Sequence, residues 1–228
     1  MSQATPEQQQ LLRDAARALA RGALVTAFGH VSLRLSPTSF LVCAAKPLGL
    51  IGPGDEGTVV PVEGPLPPGV LGEVRVHQQI YRRRGDVQAL CRFMSPQVMA
   101  LGAMGLTPRA RHGFGSYFHG GVPLWGDPTL VRDDSRAARV AHALGEAPAI
   151  VLAGNGAVTV GASLPQAVAL AWFLEDAARV ELAVRAAAGT NHQSFADEAQ
   201  ARERATWEGR IAERLWDYLT LESTGAQR

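Results

Sequence analysis

Glu73 and His77 stand four residues apart in GEVRVHQQIYRRRGDVQALCRFMSP, the stretch from Gly72 to Pro96. Glu73, Val76, His77, Ile80 and Tyr81 follow the spacing of one helical face. A face that mixes a carboxylate and an imidazole with apolar side chains turns toward a core or a pocket. Further along, Arg92 and Met94 project to the same side of an expected strand, two residues apart. Lys46, the chain's only lysine, is a cation suited to neutralising a carboxylate. Nothing near it in sequence argues for the depressed pKa that Schiff-base chemistry needs. His30 follows Gly29 at what reads as a strand-edge turn, and His112 and His119 show no metal-ligand spacing. Asn155 sits in Gly154-Asn155-Gly156, where Asn-Gly is a favoured hairpin turn.

These residues need elements to carry them. Thr5, Pro6 and Gln8 start a helix whose apolar stripe runs from Leu11 to Leu19 and which ends at Gly22. LVTAFGHVSLRLSPTSFLVCAA reads as two strands split by Ser36-Pro37-Thr38. The Pro- and Gly-dense run from Lys46 to Asp55 forbids regular structure. A strand is expected at Thr58–Val62, then the Glu73 helix, with Arg82, Arg83 and Arg84 in its solvated last turn. Gly85-Asp86 turns the chain into a buried strand, Val87–Phe93. Ser95-Pro96 opens a short helix over Gln97–Met104. Arg109–Asp127 is a loop-rich section of the kind that lines pockets, with a short strand around Val122–Trp125. A helix spans Asp134–Leu144, and two buried strands meet at Asn155. Ser163 and Gln166 form a capping box for a long helix, Leu164–Ala188, ended by Gly189. A final amphipathic helix runs from Ala196 to Leu221.

The chain has 228 residues, of which 46% are hydrophobic and 19% charged, enough to bury one substantial core. One domain is expected over 1–228, with its core at about 8–188 and a helical tail at about 196–221. A net charge of +1 gives no electrostatic reason to expect nucleic acid or a membrane surface as partner. Two cysteines cannot build a disulfide framework, the N-terminus lacks a signal pattern, and no apolar run approaches a membrane span. A cytoplasmic location follows as the expectation.

Taken in order, Gly29-His30-Val31-Ser32, Lys46-Pro47-Leu48-Gly49, Glu73 with His77, Ile80 and Tyr81, Asp86-Val87 with Ala89, and the Gly-x-Gly hairpin resemble the class II aldolase/adducin family over residues 8–188. The resemblance implies an α/β fold of three layers, α/β/α, with a mixed, mainly antiparallel central sheet, and a homo-oligomer, commonly a tetramer. It implies that Gly29, His30 and Ser32 form a loop holding a substrate phosphate or carboxylate, with Lys46 in a second set of anion contacts. In the family three His bind zinc or another divalent ion, which polarises a carbonyl, and a carboxylate at the position of Glu73 acts as acid or base.

Here the three ligand positions hold Arg92, Met94 and Asn155. Arg is permanently cationic, Met is a soft thioether and Asn a weak ligand. No metal cofactor is therefore expected. The favoured expectation is a metal-independent lyase, of decarboxylase, aldolase or dehydratase type, acting on a small anionic carbonyl or carboxylate substrate. Glu73 and Arg92 are its candidate catalytic residues. Gly29, His30, Ser32, Lys46, His77 and Asn155 are its candidate substrate contacts. Two alternatives stand beside it: a non-catalytic binding or assembly protein in which Glu73 and Arg92 pair to fill a vacated pocket, and a metal aldolase with a rebuilt site.

Overall fold

In the computed structural model, which describes residues 3–188 and 197–221, the chain builds on one seven-stranded sheet. The strands are β1 (His30–Ser36), β2 (Ser39–Val42), β3 (Thr58–Pro61), β4 (Ala89–Phe93), β5 (Leu124–Trp125), β6 (Ala149–Leu152) and β7 (Ala157–Gly161). They lie in the order β3-β2-β1-β4-β7-β6-β5, antiparallel except where β5 runs parallel to β6. The expected mixed, mainly antiparallel sheet is the observed one.

Alternation along these strands makes two apolar faces, and each is covered by helices. Helices α1 (Pro6–Arg21), α3 (Pro96–Ala103), α5 (Leu164–Ala188) and α7 (Ile211–Thr220) pack with Val31, Leu41, Cys91 and Phe93 on one face. Helices α2 (Arg75–Arg83) and α4 (Asp134–Leu144) pack with Phe40, Leu90, Val158 and Val160 on the other. Both cysteines are free and buried, and burial pushes the Cys43 thiol up to about 11. No described helix is long and apolar enough to cross a membrane.

Several local expectations need correction. Glu73 does not belong to the α2 helix but to a 3-10 turn, Gly72–Val74, that leads into it. The buried face of α2 also includes Gln78, whose amide donates to the Pro61 and Gly64 carbonyls. Ser95 does not cap α3 with its side chain. Instead Glu175 of α5 accepts from the Ser95 hydroxyl at 2.6 Å and from the Gln97 and Val98 amides at 3.0 Å. A carboxylate thus satisfies orphan donors at the helix start from across the core.

The tail is two helices rather than one. Helix α6 (Glu198–Arg204) stops before α7 because Gly209 and Arg210 both take positive φ, 71° and 58°. The tail packs on its own chain, with Trp207 against Tyr117 and Phe173. Gly189 and Ala196, expected as the end of α5 and the start of the tail, lie outside the described residues.

The β6–β7 hairpin depends on Gly156. Its φ is 78°, and an added Cβ would collide with the Phe93 carbonyl oxygen. Gly156→Ala is expected to cost about 3 kcal/mol or more, from overpacking together with left-handed strain. A urea unfolding midpoint measures this; a midpoint equal to that of the natural chain would refute it.

Candidate active site

Strand pairing sets the centre of the site. His30 of β1 lies opposite Arg92 of β4, and Arg92 lies opposite Val158 of β7. Arg92 therefore projects from mid-sheet onto the α2/α4 side, where it is 8% exposed. It lines a cavity of about 20 Å³ with Glu73, Val76, Trp125, Asp127 and Asn155. Glu73, Arg92 and Asn155, far apart in sequence, meet here because the turn before α2, the end of β4 and the β6–β7 hairpin share one end of the sheet.

The charges are not arranged as a simple pair. Glu73 forms its ion pair with Arg132 at 2.9 Å, not with Arg92. Among the described residues the Arg92 side chain has no hydrogen bond or ion pair within bonding distance. Burial lowers its pKa and the field of Glu73 raises it, and an arginine remains protonated throughout. Asp127 is held by Arg136 at 3.4 Å, and Asn155 donates to the Pro128 carbonyl at 2.8 Å. A buried guanidinium lined up on a cavity without an anionic partner is costly unless an anion enters.

The other expected contacts stand elsewhere. His30, His77, Ser32 and Tyr81 form one buried chain: His30 Nδ1 to His77 Nε2 at 2.8 Å, His77 Nδ1 to Ser32 Oγ at 2.6 Å, and Ser32 Oγ to the Tyr81 hydroxyl at 2.9 Å. His77 and Ser32 are fully buried and His77 has both ring nitrogens engaged, so neither is presented to a ligand. Burial, then the charge of Arg92, lowers the His77 pKa to about 3. His30 is also held well below its usual value, by burial first, then by His77 and Arg92. Burial and the positive field of Arg92 thus keep both rings neutral.

Gly29 serves packing: an added Cβ would lie 2.8 Å from the Arg92 carbonyl oxygen and 2.9 Å from a Val25 methyl. Lys46 is half-exposed, paired with Asp55 at 2.5 Å, and does not line the Arg92 cavity. Met94 lies just beyond the end of β4 rather than beside Arg92 on the strand. His112 pairs with Asp176 at 2.6 Å.

Sequence patterns did not single out Arg132, Trp125 or Leu152 for this cavity. The pocket-lining character of the Arg109–Asp127 section was the one signal that covered Trp125 and Asp127. Arg132 lay beyond it, with no motif to mark it.

The residues here do not fit the divalent ion that the fold family implies. A fixed cation occupies the centre, beside an amide already engaged with a carbonyl. Among the described residues, no group of three or more His, Cys, Asp or Glu side chains is placed to hold a metal.

A mixed sheet between two helical layers, with a hairpin, a strand end and a Glu-bearing turn converging at one sheet end, is the arrangement of a known class. The chain belongs to the class II aldolase/adducin family: the model of the Class II Aldolase and Adducin N-terminal domain matches residues 10–182. It is similar to 3,4-dihydroxyphthalate decarboxylase from Rhodococcus jostii, 31% identical over 190 residues, covering 76% of this chain and 78% of that protein. The protein of the same name from Arthrobacter keyseri is 32% identical over 189 residues, covering 76% and 75%. L-fuculose 1-phosphate aldolase from Glaciozyma antarctica superposes with a TM-score of 0.77 at 26% identity, over 96% of this chain and 92% of that one. These likenesses place the chain among the lyase-type enzymes of the family.

Proposed function

We propose that this enzyme is a metal-independent decarboxylase of a hydroxylated aromatic carboxylate, a compound of the 3,4-dihydroxyphthalate type named for its relatives. The observation that carries the proposal is Arg92, a buried and unpaired guanidinium in a cavity shared with Glu73. Apolar side chains of Val76, Val131 and Leu152 line the same space and suit the faces of a ring.

Arg92 grips a carboxylate that the product retains, since a cation fixed on the departing one would oppose its loss of charge. Glu73 delivers a proton to the ring carbon that bears the leaving group. The carbon–carboxylate bond then breaks, its electron pair restores the aromatic ring, and carbon dioxide departs. Glu73 regains its proton from water, which closes the balance.

A space of about 20 Å³ admits only a water-sized group, so an aromatic acid enters when residues 127–132 move outward. The Glu73–Arg132 ion pair, the Asn155–Pro128 hydrogen bond, the Asp127–Arg136 ion pair and the buried Val131 side chain hold that segment down. Opening it also frees Glu73 from Arg132. Assembly as a homo-oligomer, a tetramer in our reading, is checked by light scattering.

Carbon dioxide release from 3,4-dihydroxyphthalate by the purified chain tests the function. Glu73→Gln is expected to lower kcat by about 100- to 10,000-fold, the usual weight of a positioned acid–base group. Activity should survive exhaustive chelation and gain nothing from added zinc, iron or manganese. Unchanged turnover in the Gln variant would remove Glu73 from the mechanism, and a requirement for added metal would overturn metal independence.

A further inference from the structure

Trp125 ends β5 opposite Leu152, with its ring packed under the Arg139 guanidinium of α4 at 5.3 Å. That contact fixes the indole from the helix side. Its Nε1 atom is buried and has no hydrogen-bond partner. The residue lines the same cavity as Arg92. Indole is a donor only, and a buried donor left unpaired is disfavoured, so such groups call for an explanation. Two residues that carry donors without a partner in the chain, one charged and one neutral, thus line one small space.

We infer that Trp125 Nε1 and Arg92 form a two-part oxygen subsite, in which Arg92 takes the carboxylate that is retained and the neutral indole N–H orients the departing carboxylate on the adjacent ring carbon, a hydrogen bond that ends when carbon dioxide leaves. This rests on the anion-binding role proposed for Arg92 and adds the substrate's shape to it. The site selects planar acids with neighbouring oxygen groups over those with a single carboxylate. A hydrogen-bonding site rejects ligands that lack the matching group, because its own donor is then left unpaired.

The inference is tested with two unreactive probes, phthalate with its adjacent carboxylates and benzoate with one. Binding of each to the full chain, to Trp125→Phe and to Arg92→Met is followed by calorimetry and by thermal stabilisation. Trp125→Phe is expected to weaken phthalate about tenfold, the typical weight of one hydrogen bond to a charged group, and to leave benzoate unchanged. Arg92→Met should weaken both. General damage to the fold would weaken both probes in Trp125→Phe, and equal phthalate affinity in that variant would place the indole outside the subsite. Either result overturns the inference while leaving Arg92 in place. Failure of the natural chain to bind either probe would overturn the anion site itself and this subsite with it.

Discussion

Arg92→Met is expected to lower kcat/KM by about 150- to 5,000-fold while the melting temperature stays level or rises. The two effects have one origin. A guanidinium that is 8% exposed and unpaired costs the folded state its lost hydration. Replacing such a charge with an apolar side chain of similar length is commonly neutral or stabilising. The bound substrate reverses the sign, because its carboxylate would then be the buried, unpaired group, a loss of about 3–5 kcal/mol. Steady-state kinetics and calorimetric melting on the same preparations check both halves. A variant that is active but less stable would make Arg92 a structural residue and remove the basis of the proposed function. Arg92→Lys should recover part of the activity, since a point charge replaces the planar fork but not its bidentate geometry.

Acidification is expected to unfold the protein from below about pH 6.5, before most carboxylates titrate. His77, fully buried beside Arg92, has its pKa lowered to about 3, and His30 is lowered in the same direction. In the unfolded chain both titrate near 6.5. The unfolded state therefore binds more protons below that value, and stability falls with pH. The contribution is complete above about pH 6.5 and is lost progressively as pH drops toward the folded value. For His77 alone the loss is about 3 kcal/mol at pH 4.5, two units below its unfolded pKa at about 1.4 kcal/mol each. Asp86, Asp127 and Asp133, held below their usual range, act in a lower window. Urea melts between pH 4 and 8 measure the slope. In His77→Gln that slope between pH 6.5 and 4.5 should be visibly reduced, and an unaltered profile would show that His77 is not the group responsible.

Much of the frame was legible in the residues. Thr5, Pro6 and Gln8 announced α1, and the structure closes that capping box. The helices at Asp134–Leu144 and Leu164–Ala188 match their expected bounds. Asn155-Gly156 marked the hairpin, and the ordered motifs identified the family. Each of these is a local signal: a cap, a turn, a period or a spacing.

Glu73, Arg92 and Asn155 meet in one cavity as expected, but the individual bonds their neighbours make were not legible. His77 was placed on the right helical face, yet periodicity could not say that His30 and Ser32 would engage its nitrogens from β1. Glu73 lies next to α2, yet its partner is Arg132, 59 residues on. Glu175 of the long helix α5 bonds the start of α3, 80 residues away at Ser95, and no local pattern announces that contact.

By itself, then, the sequence determined the family and most of the order of elements, because those follow from residue type and short-range spacing. The tertiary structure alone decided that Arg92 is buried without a partner, that Glu73 is latched to Arg132, and that Trp125, with its N–H unpaired, lines the same cavity. The physical reason is that strand register and helix packing choose neighbours across the whole chain, and no local pattern encodes that choice.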